Sequence, residues 1–170
     1  MTKPMLVFRQ LTEEDVKSFR EIRLEALQKH PENFTSCYRQ EGELSLQYFS
    51  NMLQNHKYIA CFKEGVMVGV CGIMPAHESL KKSHTARITG FYVRPEYRGR
   101  GFAKKLFEKT MEDIEERYEK VLLNVNTKNP RAHSLYKAIG FKDFGIDKRA
   151  FILRDGTYVH EFLMVKFLGY

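Results

Sequence analysis

The stretch RPEYRGRGFAKKLF, residues 94–107, combines a high density of basic side chains with two closely spaced glycines, Gly99 and Gly101. Glycine lets the backbone adopt positive φ angles or lie very close to a ligand. Apolar side chains resume at helical spacing directly afterwards, so the glycines stand where a helix begins. Free N–H groups and the helix dipole favour anions at that position. The stretch therefore predicts an anion-binding loop, and a basic turn that only caps a surface helix is the alternative.

Three phosphate-binding patterns can be compared with this loop. A P-loop requires GxxxxGK followed by Ser or Thr, and the loop does not match it. The dinucleotide fingerprint GxGxxG matches at Gly99 and Gly101, but Lys104 occupies the position of the third glycine. The pattern [Gln/Arg]-x-x-Gly-x-[Gly/Ala] matches at every fixed position, from Arg98 to Ala103.

A second motif follows the next predicted strand. The stretch NPRAHSLYKAIGF fits the pattern Asn-x-x-Ala-x-x-Leu-Tyr-x-x-x-Gly-Phe. Its fixed positions are Asn129, Ala132, Leu135, Tyr136, Gly140 and Phe141. We call residues 98–103 the glycine loop. Together, the glycine loop and this second motif resemble the GNAT family, the Gcn5-related N-acetyltransferases. Counted by the order of predicted elements, the resemblance extends from about Met5 to Phe167, and only the two motif regions are specific.

The resemblance implies a fold and an activity. The expected fold is α+β, one domain over residues 1–170, with a central mixed and mostly antiparallel sheet of about seven strands and about four flanking helices. The implied activity is an acetyl-CoA-dependent N-acetyltransferase. It would move the acetyl group by direct transfer to a primary amine of a small molecule, protein or peptide. A non-catalytic protein of the same fold that binds or senses acyl-CoA is the alternative.

The resemblance also implies which residues hold acetyl-CoA, the cosubstrate. Amides of the glycine loop would grip the pyrophosphate, and its basic side chains would screen the remaining charge. Backbone groups at the end of the preceding strand would pair with the pantetheine arm, and one N–H would polarise the thioester carbonyl. The implied set comprises Phe91, Tyr92, Val93, Arg98, Gly99, Arg100, Gly101, Phe102, Ala103, Lys104, Asn129 and Tyr136.

Acyl transfer to an amine needs a proton donor for the departing thiolate and a route for the amine's proton. Tyr136 matches the tyrosine that the family uses as the donor; a tyrosine packed in the core is the alternative. For the base, relatives often carry acids where this chain has Arg87 and Asn124, and neither of these side chains can accept the proton.

Glu161 is the replacement that the sequence offers for the base. In TYVHEFLMVKF it is the single carboxylate on a strand face shared with Val159, Leu163, Val165 and Phe167. Partial burial would raise its pKa and suit it to accept a proton. An edge-strand glutamate paired with a Lys or Arg, or a water relay instead of a base, remains open. Weaker candidates lie in the loop that often shapes the acceptor site, Glu41 and Glu43.

Hydrophobic periodicity and turn residues predict the elements that position these groups. Strands are predicted at Met5–Leu11, in the hairpin KYIACF-KEG-VMVGVCGIM, at Ala86–Val93, at Lys120–Asn126, and at Phe141–Leu153 and Thr157–Phe167 around Asp155-Gly156. Helices are predicted from Thr12 to Lys29, from Ser45 to Gln54, from near Gly99, and from Asn129 to Gly140. The crossover between Arg87 and Asn126 predicts one parallel strand pair.

Composition limits the remaining classes of function. The net charge of +7 favours anionic partners, but the 28 basic residues are mixed with 21 acidic ones along the chain, so we expect no nucleic-acid partner. We also expect no membrane segment, a cytoplasmic location and no metal, since the three cysteines have no metal-binding spacing. Cys61 and Cys71 lie in apolar runs and are predicted to be buried. The identity of the acceptor amine stays open, as does a homodimer, which is common in the family.

Overall fold

A computed structural model describes Lys3 and residues 5–169 of the chain. The predicted α+β architecture with a seven-stranded mixed sheet is confirmed. The strands are β1 Leu6–Gln10, β2 Lys57–Lys63, β3 Val66–Pro75, β4 Thr85–Val93, β5 Lys120–Asn126, β6 Lys142–Ile152 and β7 Tyr158–Phe167. The α-helices are α1 Val16–Lys29, α2 Tyr38–Glu41, α3 Leu46–Asn55, α4 Phe102–Glu115 and α5 Pro130–Ala138. Within the described part of the chain, no helix is long and apolar enough to cross a membrane.

The sheet has the strand order β1-β2-β3-β4-β5-β7-β6. All neighbours are antiparallel except β4 and β5, which are parallel, as the crossover predicts. These two strands pair only where Thr85–Arg87 faces Lys120–Leu122. Both strands then continue for several residues without pairing to each other, so the sheet divides along this line. We call the short paired stretch the seam.

A β-bulge in β4 accompanies this division. Val70 of β3 faces Tyr92, whereas Gly72 faces Thr89, so the register breaks opposite Gly90 and Phe91. Gly90 has a φ of 61°, a conformation that non-glycine residues rarely adopt. A bulge bends its strand and increases the local twist, which turns the end of β4 away from β5.

Two hydrophobic clusters lie on opposite faces of the sheet. One packs α4 and α5 against strands that include β5 and β7, and Phe107, Ile114 and Met164 are fully buried in it. The other packs α1 and α3 against β2, β3 and β4. The buried members of this second cluster include none from β5, β6 or β7. On the α1 side, the sheet beyond β4 is therefore not covered by that helical layer.

Local sequence explains where the two helices next to the site begin. Gly99 and Gly101 have φ angles of 75° and 79°, so α4 begins at Phe102 and not near Gly99 as predicted. The cap at Asn129 is confirmed, because its side chain accepts a hydrogen bond from the amide of Ala132 at 3.2 Å. Pro130 follows as the first residue of α5, a position where its missing N–H costs nothing.

Buried thiols are confirmed at Cys61 and Cys71, whereas Cys37 is exposed. Burial raises the pKa of the Cys61 thiol to about 11 and that of Cys71 to about 12. Both thiols are therefore protonated and unreactive at neutral pH. Among the described residues, no group of three or more His, Cys, Asp or Glu side chains could hold a metal ion.

A buried ion pair orders the segment between α1 and α3, where the sequence analysis places neither a helix nor a strand. Glu41, at the end of α2, is 5% exposed. Its two carboxylate oxygens accept hydrogen bonds from Nε and Nη2 of Arg23 at 2.6 and 2.7 Å. The same Nη2 also donates to Ser36 Oγ at 3.1 Å. Because both carboxylate oxygens are engaged, Glu41 is unsuited to act as a catalytic base.

Glu41→Gln should lower the free energy of unfolding by about 3 kcal/mol, because it leaves the Arg23 guanidinium buried without its counter-charge. Urea denaturation monitored by circular dichroism measures this loss. Glu43→Gln is the matched control, since Glu43 is exposed, and we expect a change within about 0.5 kcal/mol. Equal losses in the two variants would show that the ion pair contributes nothing specific.

Candidate functional site

A cleft of about 780 Å³ opens where β4 and β5 separate. One wall is the end of β4, Phe91–Val93, and the opposite wall is the end of β5 with the residues that follow it. The glycine loop and α5 line one end, and the segment 30–34 after α1 lines the α1 side. A volume of this size accommodates a ligand of several hundred daltons.

Most of the residues that the sequence assigned to the cofactor line this one cleft. They are Phe91, Tyr92, Val93, Arg98, Gly99, Gly101, Ala103, Lys104, Asn129 and Tyr136. Arg100 and Phe102 are not among the lining residues. Phe102 is 8% exposed and its ring stacks on Tyr97, so its side chain belongs to the core.

The glycine loop exposes a run of unused backbone donors. Within the described residues, the amides of residues 99–104 donate no hydrogen bond, and the first helical bond of α4 runs from Lys105 N to Gly101 O. The positive φ angles of Gly99 and Gly101 shape this run. Consecutive free amides at a helix N-terminus form a site for phosphate or carboxylate groups.

The structure gives the Arg98 side chain an internal role rather than the predicted role of charge screening. Its Nε donates to the carbonyl oxygen of Val93 at 2.9 Å, and Nη2 lies 3.2 Å from His30 Nε2. The guanidinium also lies 5.5 Å from the centre of the Tyr92 ring. Arg98 thus fastens the glycine loop to β4 and to the segment after α1.

Two basic residues of the cleft were missed in the sequence analysis. Lys128 and Arg131 flank the Asn129 cap and line the cleft across from the glycine loop. Neither forms an ion pair within the part of the chain that the structure describes. With Lys104, they contribute three cationic side chains to a cleft lining that also contains Arg98. Their position beside Asn129 in the second motif was the signal that could have identified them.

The segment 30–34 was also missed, and it connects both walls of the cleft. The side chain of Asn126, at the end of β5, donates to the carbonyl oxygen of Glu32 at 2.9 Å. Asn129 Nδ2 donates to Asn33 Oδ1 at 3.4 Å. Sequence separations of more than 90 residues hide these contacts from any local pattern.

Tyr136 lies at the floor of the cleft and is 7% exposed. Its ring packs against Phe91, Phe107 and Phe141, with ring centres 5.2 to 6.3 Å away. Its hydroxyl has no hydrogen-bond partner among the residues described. Burial, with a smaller contribution from Cys71, raises the pKa of Tyr136. The hydroxyl therefore stays protonated at neutral pH and is available as a hydrogen-bond donor.

The three positions considered for the base lie together on the α1 side of the sheet. Arg87 Nη1 donates to Asn124 Oδ1 at 3.2 Å, and Asn124 Nδ2 donates to Glu161 Oε1 at 3.4 Å. Burial raises the pKa of Glu161, and the nearby Asp147 adds to this, while Asn124 and Arg87 oppose it. The raised pKa agrees with the effect of partial burial that the sequence predicts for Glu161, whose role as the base stays a prediction.

Glu161 lies beside the cleft rather than in its lining. Asn124 lines the cleft and separates Glu161 from Arg87. In the described chain, Glu161 forms no ion pair within 4.0 Å, so the predicted alternative of a simple Lys or Arg partner does not hold. One bridging water would suffice to connect its carboxylate to an amine in the cleft.

Comparisons with known proteins agree with this architecture. The model of the Acetyltransferase (GNAT) family matches residues 16–141. A Bacillus subtilis (strain 168) protein, named provisionally as a [ribosomal protein bS18]-alanine N-acetyltransferase, is 30% identical over 119 residues, which cover 68% of this chain and 72% of that protein. The structure of a GNAT-family acetyltransferase from Streptococcus pneumoniae matches with a TM-score of 0.84 at 21% identity, covering 96% of this chain and 100% of that one. A phosphinothricin acetyltransferase from Sinorhizobium meliloti, solved in complex with AcCoA, matches with a TM-score of 0.81 at 20% identity, covering 96% and 89%.

Proposed function

The chain belongs to the GNAT family of acetyltransferases, and on that premise we propose that it transfers the acetyl group of acetyl-CoA directly to the α-amino group of an acceptor bound in the cleft. The observation that carries this proposal is the course of the cleft. It runs from the free amides of the glycine loop, past Tyr136, to Asn124 on the α1 side. One cavity would thus join a phosphate site, a hydrogen-bond donor for the departing sulfur and an acceptor side.

The chemistry of the lining residues fits acetyl-CoA. Coenzyme A carries a pyrophosphate and a 3′-phosphate at one end, and its thioester supplies an activated acetyl group at the other. The amides of residues 99–104 and the cations of Lys104, Lys128 and Arg131 would hold the phosphates. Phe91, Tyr136 and Leu135 provide an apolar floor, from which bulk water would be excluded once the cleft is filled.

The acceptor must attack as a neutral amine, and its pKa decides the cost. A lysine-like amine with a pKa near 10.4 costs about 4.6 kcal/mol to deprotonate at pH 7, whereas an α-amine with a pKa near 7.8 costs about 1 kcal/mol. Of the described residues that line the cleft, three carry a side chain that could accept a proton: Glu32, His30, which lies 3.5 Å from it, and His160, whose Nδ1 already accepts a hydrogen bond from the amide of Arg149. Because the cost of deprotonating a lysine-like amine is so much larger, we expect an α-amine as the acceptor.

The two proposed catalytic side chains serve opposite ends of the transfer. As the acceptor nitrogen bonds to the acetyl carbon, its proton would pass through a water to the Glu161 carboxylate, while the carbon–sulfur bond breaks and the sulfur leaves with its electron pair. The Tyr136 hydroxyl would donate a hydrogen bond to that sulfur. Because the pKa of Tyr136 is raised, complete proton transfer to a thiolate, whose conjugate acid has a pKa near 8.5, is unfavourable, so stabilisation by hydrogen bonding is the expected role.

The alternative of a non-catalytic acyl-CoA sensor is not favoured. The family model and the relatives reported above are named as acetyltransferases. A protein that only binds the carrier also has no need for an acceptor-side opening next to Asn124 and Glu161.

Incubation of the purified chain with acetyl-CoA and a panel of amines tests the proposal. We expect release of free thiol that depends on the amine, with matching acetylated products identified by mass spectrometry. Peptides and amino acids with free α-amines should react faster than lysine-like amines at pH 7. Binding of acetyl-CoA without any amine-dependent thiol release would support the sensor instead.

Glu161→Gln should lower kcat by about tenfold to 100-fold at pH 7, the range of a modest general base. A carboxylate with a raised pKa accepts protons only above that pKa, so the advantage of the natural chain should shrink as the pH falls. The measurement is the pH profile of kcat for both proteins. Asp147→Asn, which removes the carboxylate facing Glu161 on β6, is the comparison variant: it should keep kcat at pH 7 but move the acidic limb of the profile to lower pH, because the charge that helps to raise the pKa of Glu161 is gone. A pH-independent ratio near one would remove Glu161 from the mechanism.

A further inference from the structure

The face of β5, β7 and β6 on the α1 side continues well beyond Asn124 and Glu161, the two of its residues that the proposed transfer uses. Alternate residues of β5, such as Val121 and Leu123, are buried on the α4 side, as is Met164 of β7. The intervening residues therefore point to the opposite side, where the α1 and α3 layer is missing. We call this surface the open sheet face; it is formed by Lys120, Leu122, Asn124, Glu161, Leu163, Val165, Lys142 and Asp147.

Strand register arranges the open sheet face in rows that start at the cleft. The first row is Asn126, Glu161 and Asp147, and the second contains Asn124 and Leu163. The third row runs Arg87, Leu122, Val165 and Lys142, and the fourth contains Lys120 and Phe167. Four residues of strand separate the first row from the third, a distance of about 13 Å.

The charge of these rows changes with distance from the cleft. Two carboxylates, Glu161 and Asp147, lie in the row nearest the cleft, and cations occupy the third and fourth rows. Arg87, Lys120 and Lys142 form no ion pair within 4.0 Å in the part of the chain described. Basic residues that are scattered in the sequence are thus gathered here by strand pairing.

The pKa of His77, which lies on the loop next to these rows, is lowered in part by the nearby positive charges. Some desolvation and the charges of Lys82, Arg87 and Lys120 lower the pKa of this exposed histidine. The field therefore extends from the sheet onto the loop between β3 and β4. A ligand that matches it must carry negative charge at a distance from the cleft.

We propose that the open sheet face binds the acceptor as an extended polypeptide whose α-amine enters the cleft and whose acidic side chains, about four to six residues further on, contact Lys120, Lys142 and Arg87. This inference rests on the proposed function and specifies its acceptor. An extended chain advances about 3.3 Å per residue, so the fifth residue lies about 13 Å from the amine, above the third row.

Two features favour a polypeptide over a nucleic acid. The side chains between the cations, Leu122 and Val165, are aliphatic and half-buried, and they suit apolar contacts with alternate side chains of a peptide. Recognition of single-stranded nucleic acid uses aromatic side chains between the cations for base stacking, whereas the aromatic side chain of these rows, Phe167, lies in the fourth row at the far end of the face. The hydrogen bond from Arg87 to Asn124 also links the basic rows directly to the cleft.

The test uses two eight-residue peptides with N-terminal alanine that differ only in Glu or Gln at positions 5, 6 and 7, which lie four to six residues after the N-terminal one. For the natural chain we expect the KM of the Glu peptide to be about tenfold lower, with equal kcat, because exposed charge pairs contribute modestly and additively. In Lys120→Gln/Lys142→Gln the KM of the Glu peptide should rise about fivefold, and that of the Gln peptide should not change. The preference should also weaken in 0.5 M salt.

Lys17→Gln/Lys109→Gln is the matched control, since it removes the same charge from exposed sites on α1 and α4. It should keep the full preference for the Glu peptide. Calorimetric titration of the same peptides, in the presence of coenzyme A, provides the comparison independently of turnover. Failure of acetyl-CoA binding or of transfer to any amine would refute the proposed function, whereas the peptide affinities alone decide the present inference.

Several outcomes would overturn the inference. Equal KM and equal affinity for the two peptides in the natural chain would do so, as would a preference of undiminished size in Lys120→Gln/Lys142→Gln. Acetylation of small amines but of neither peptide would leave the proposed function intact and refute the polypeptide acceptor. The face would instead be a nucleic-acid surface if Lys120→Gln/Lys142→Gln abolished the binding of a single-stranded RNA octamer but left the binding of the Glu peptide unchanged. A sedimentation coefficient that falls from dimer to monomer in that variant would identify an interface between two copies.

Discussion

Tyr136→Phe is expected to lower kcat by about 100-fold while the affinity for acetyl-CoA changes by less than about threefold. The change removes only the hydroxyl, and the phenyl ring keeps its contacts with Phe91, Phe107 and Phe141. The departing sulfur then lacks the hydrogen-bond donor at the floor of the cleft. Stopped-flow or steady-state measurement of thiol release gives kcat, and calorimetry gives the affinity.

The pH dependence of the natural chain provides a second test of this role. A raised pKa means that the Tyr136 hydroxyl loses its proton only above the usual phenol range near pH 10. We therefore expect no alkaline decline of kcat from this group below about pH 10. Tyr118→Phe, which removes a hydroxyl from another partly buried tyrosine, is the control and should keep the natural kcat. A Tyr136→Phe protein with unchanged kcat would show that the hydroxyl takes no part.

Gly101→Ala should weaken acetyl-CoA binding by about 100-fold, as expected when one or two charge-assisted hydrogen bonds are lost. A Cβ atom at this position meets no atom within 4 Å, so crowding is not the cause. The cause is the φ of 79°, which costs an L-residue about 1–2 kcal/mol. The loop would relieve this strain by rotating, and its amides would turn away from the phosphate.

Gly65→Ala separates strain from binding. Gly65 lies in the β2–β3 turn with a φ of 81° and also has no atom within 4 Å of an added Cβ. The two variants should therefore lose similar stability, about 1 kcal/mol or more, in thermal unfolding. Only Gly101→Ala should lose affinity for the carrier in calorimetry. Comparable binding by both variants would mean that the glycine loop does not hold the phosphates.

Much of the fold could be predicted because its turns and helix caps are specified by residues that are adjacent in the sequence. Gly65 and Gly156 adopt positive φ in the two predicted hairpin turns, and Asn129 with Pro130 begins α5 as its residue types predict. The start of α4 was predicted about three residues early, because a helical pattern cannot show that the glycines before it leave the helical region. The ion pair between Arg23 and Glu41 joins residues 18 positions apart, and no periodicity encodes such a pair.

The candidate site likewise contains residues that the sequence could identify and residues that only the folded sheet brings together. Residues in the two motifs were identified because their types and spacing are contiguous in the chain. Arg87, Asn124 and Glu161 were each considered singly, but their contact depends on β7 inserting between β5 and β6. That strand order is a property of the folded sheet, so the sequence could not show that the three side chains meet. The same reason hid the basic rows of the open sheet face.

The seam between β4 and β5 has a consequence for the lifetime of the protein. Among the residues that the structure describes, strand pairing within the sheet joins the four strands on one side of the seam to the three on the other through three residue pairs. Acetyl-CoA bound in the cleft would contact both groups of strands and would stabilise their association for as long as it stays bound. A ligand at 100 times its Kd stabilises the folded chain by about 2.7 kcal/mol. Proteolytic turnover should therefore slow when the carrier is abundant, so the amount of this protein in a cell would follow its supply of activated acetyl groups.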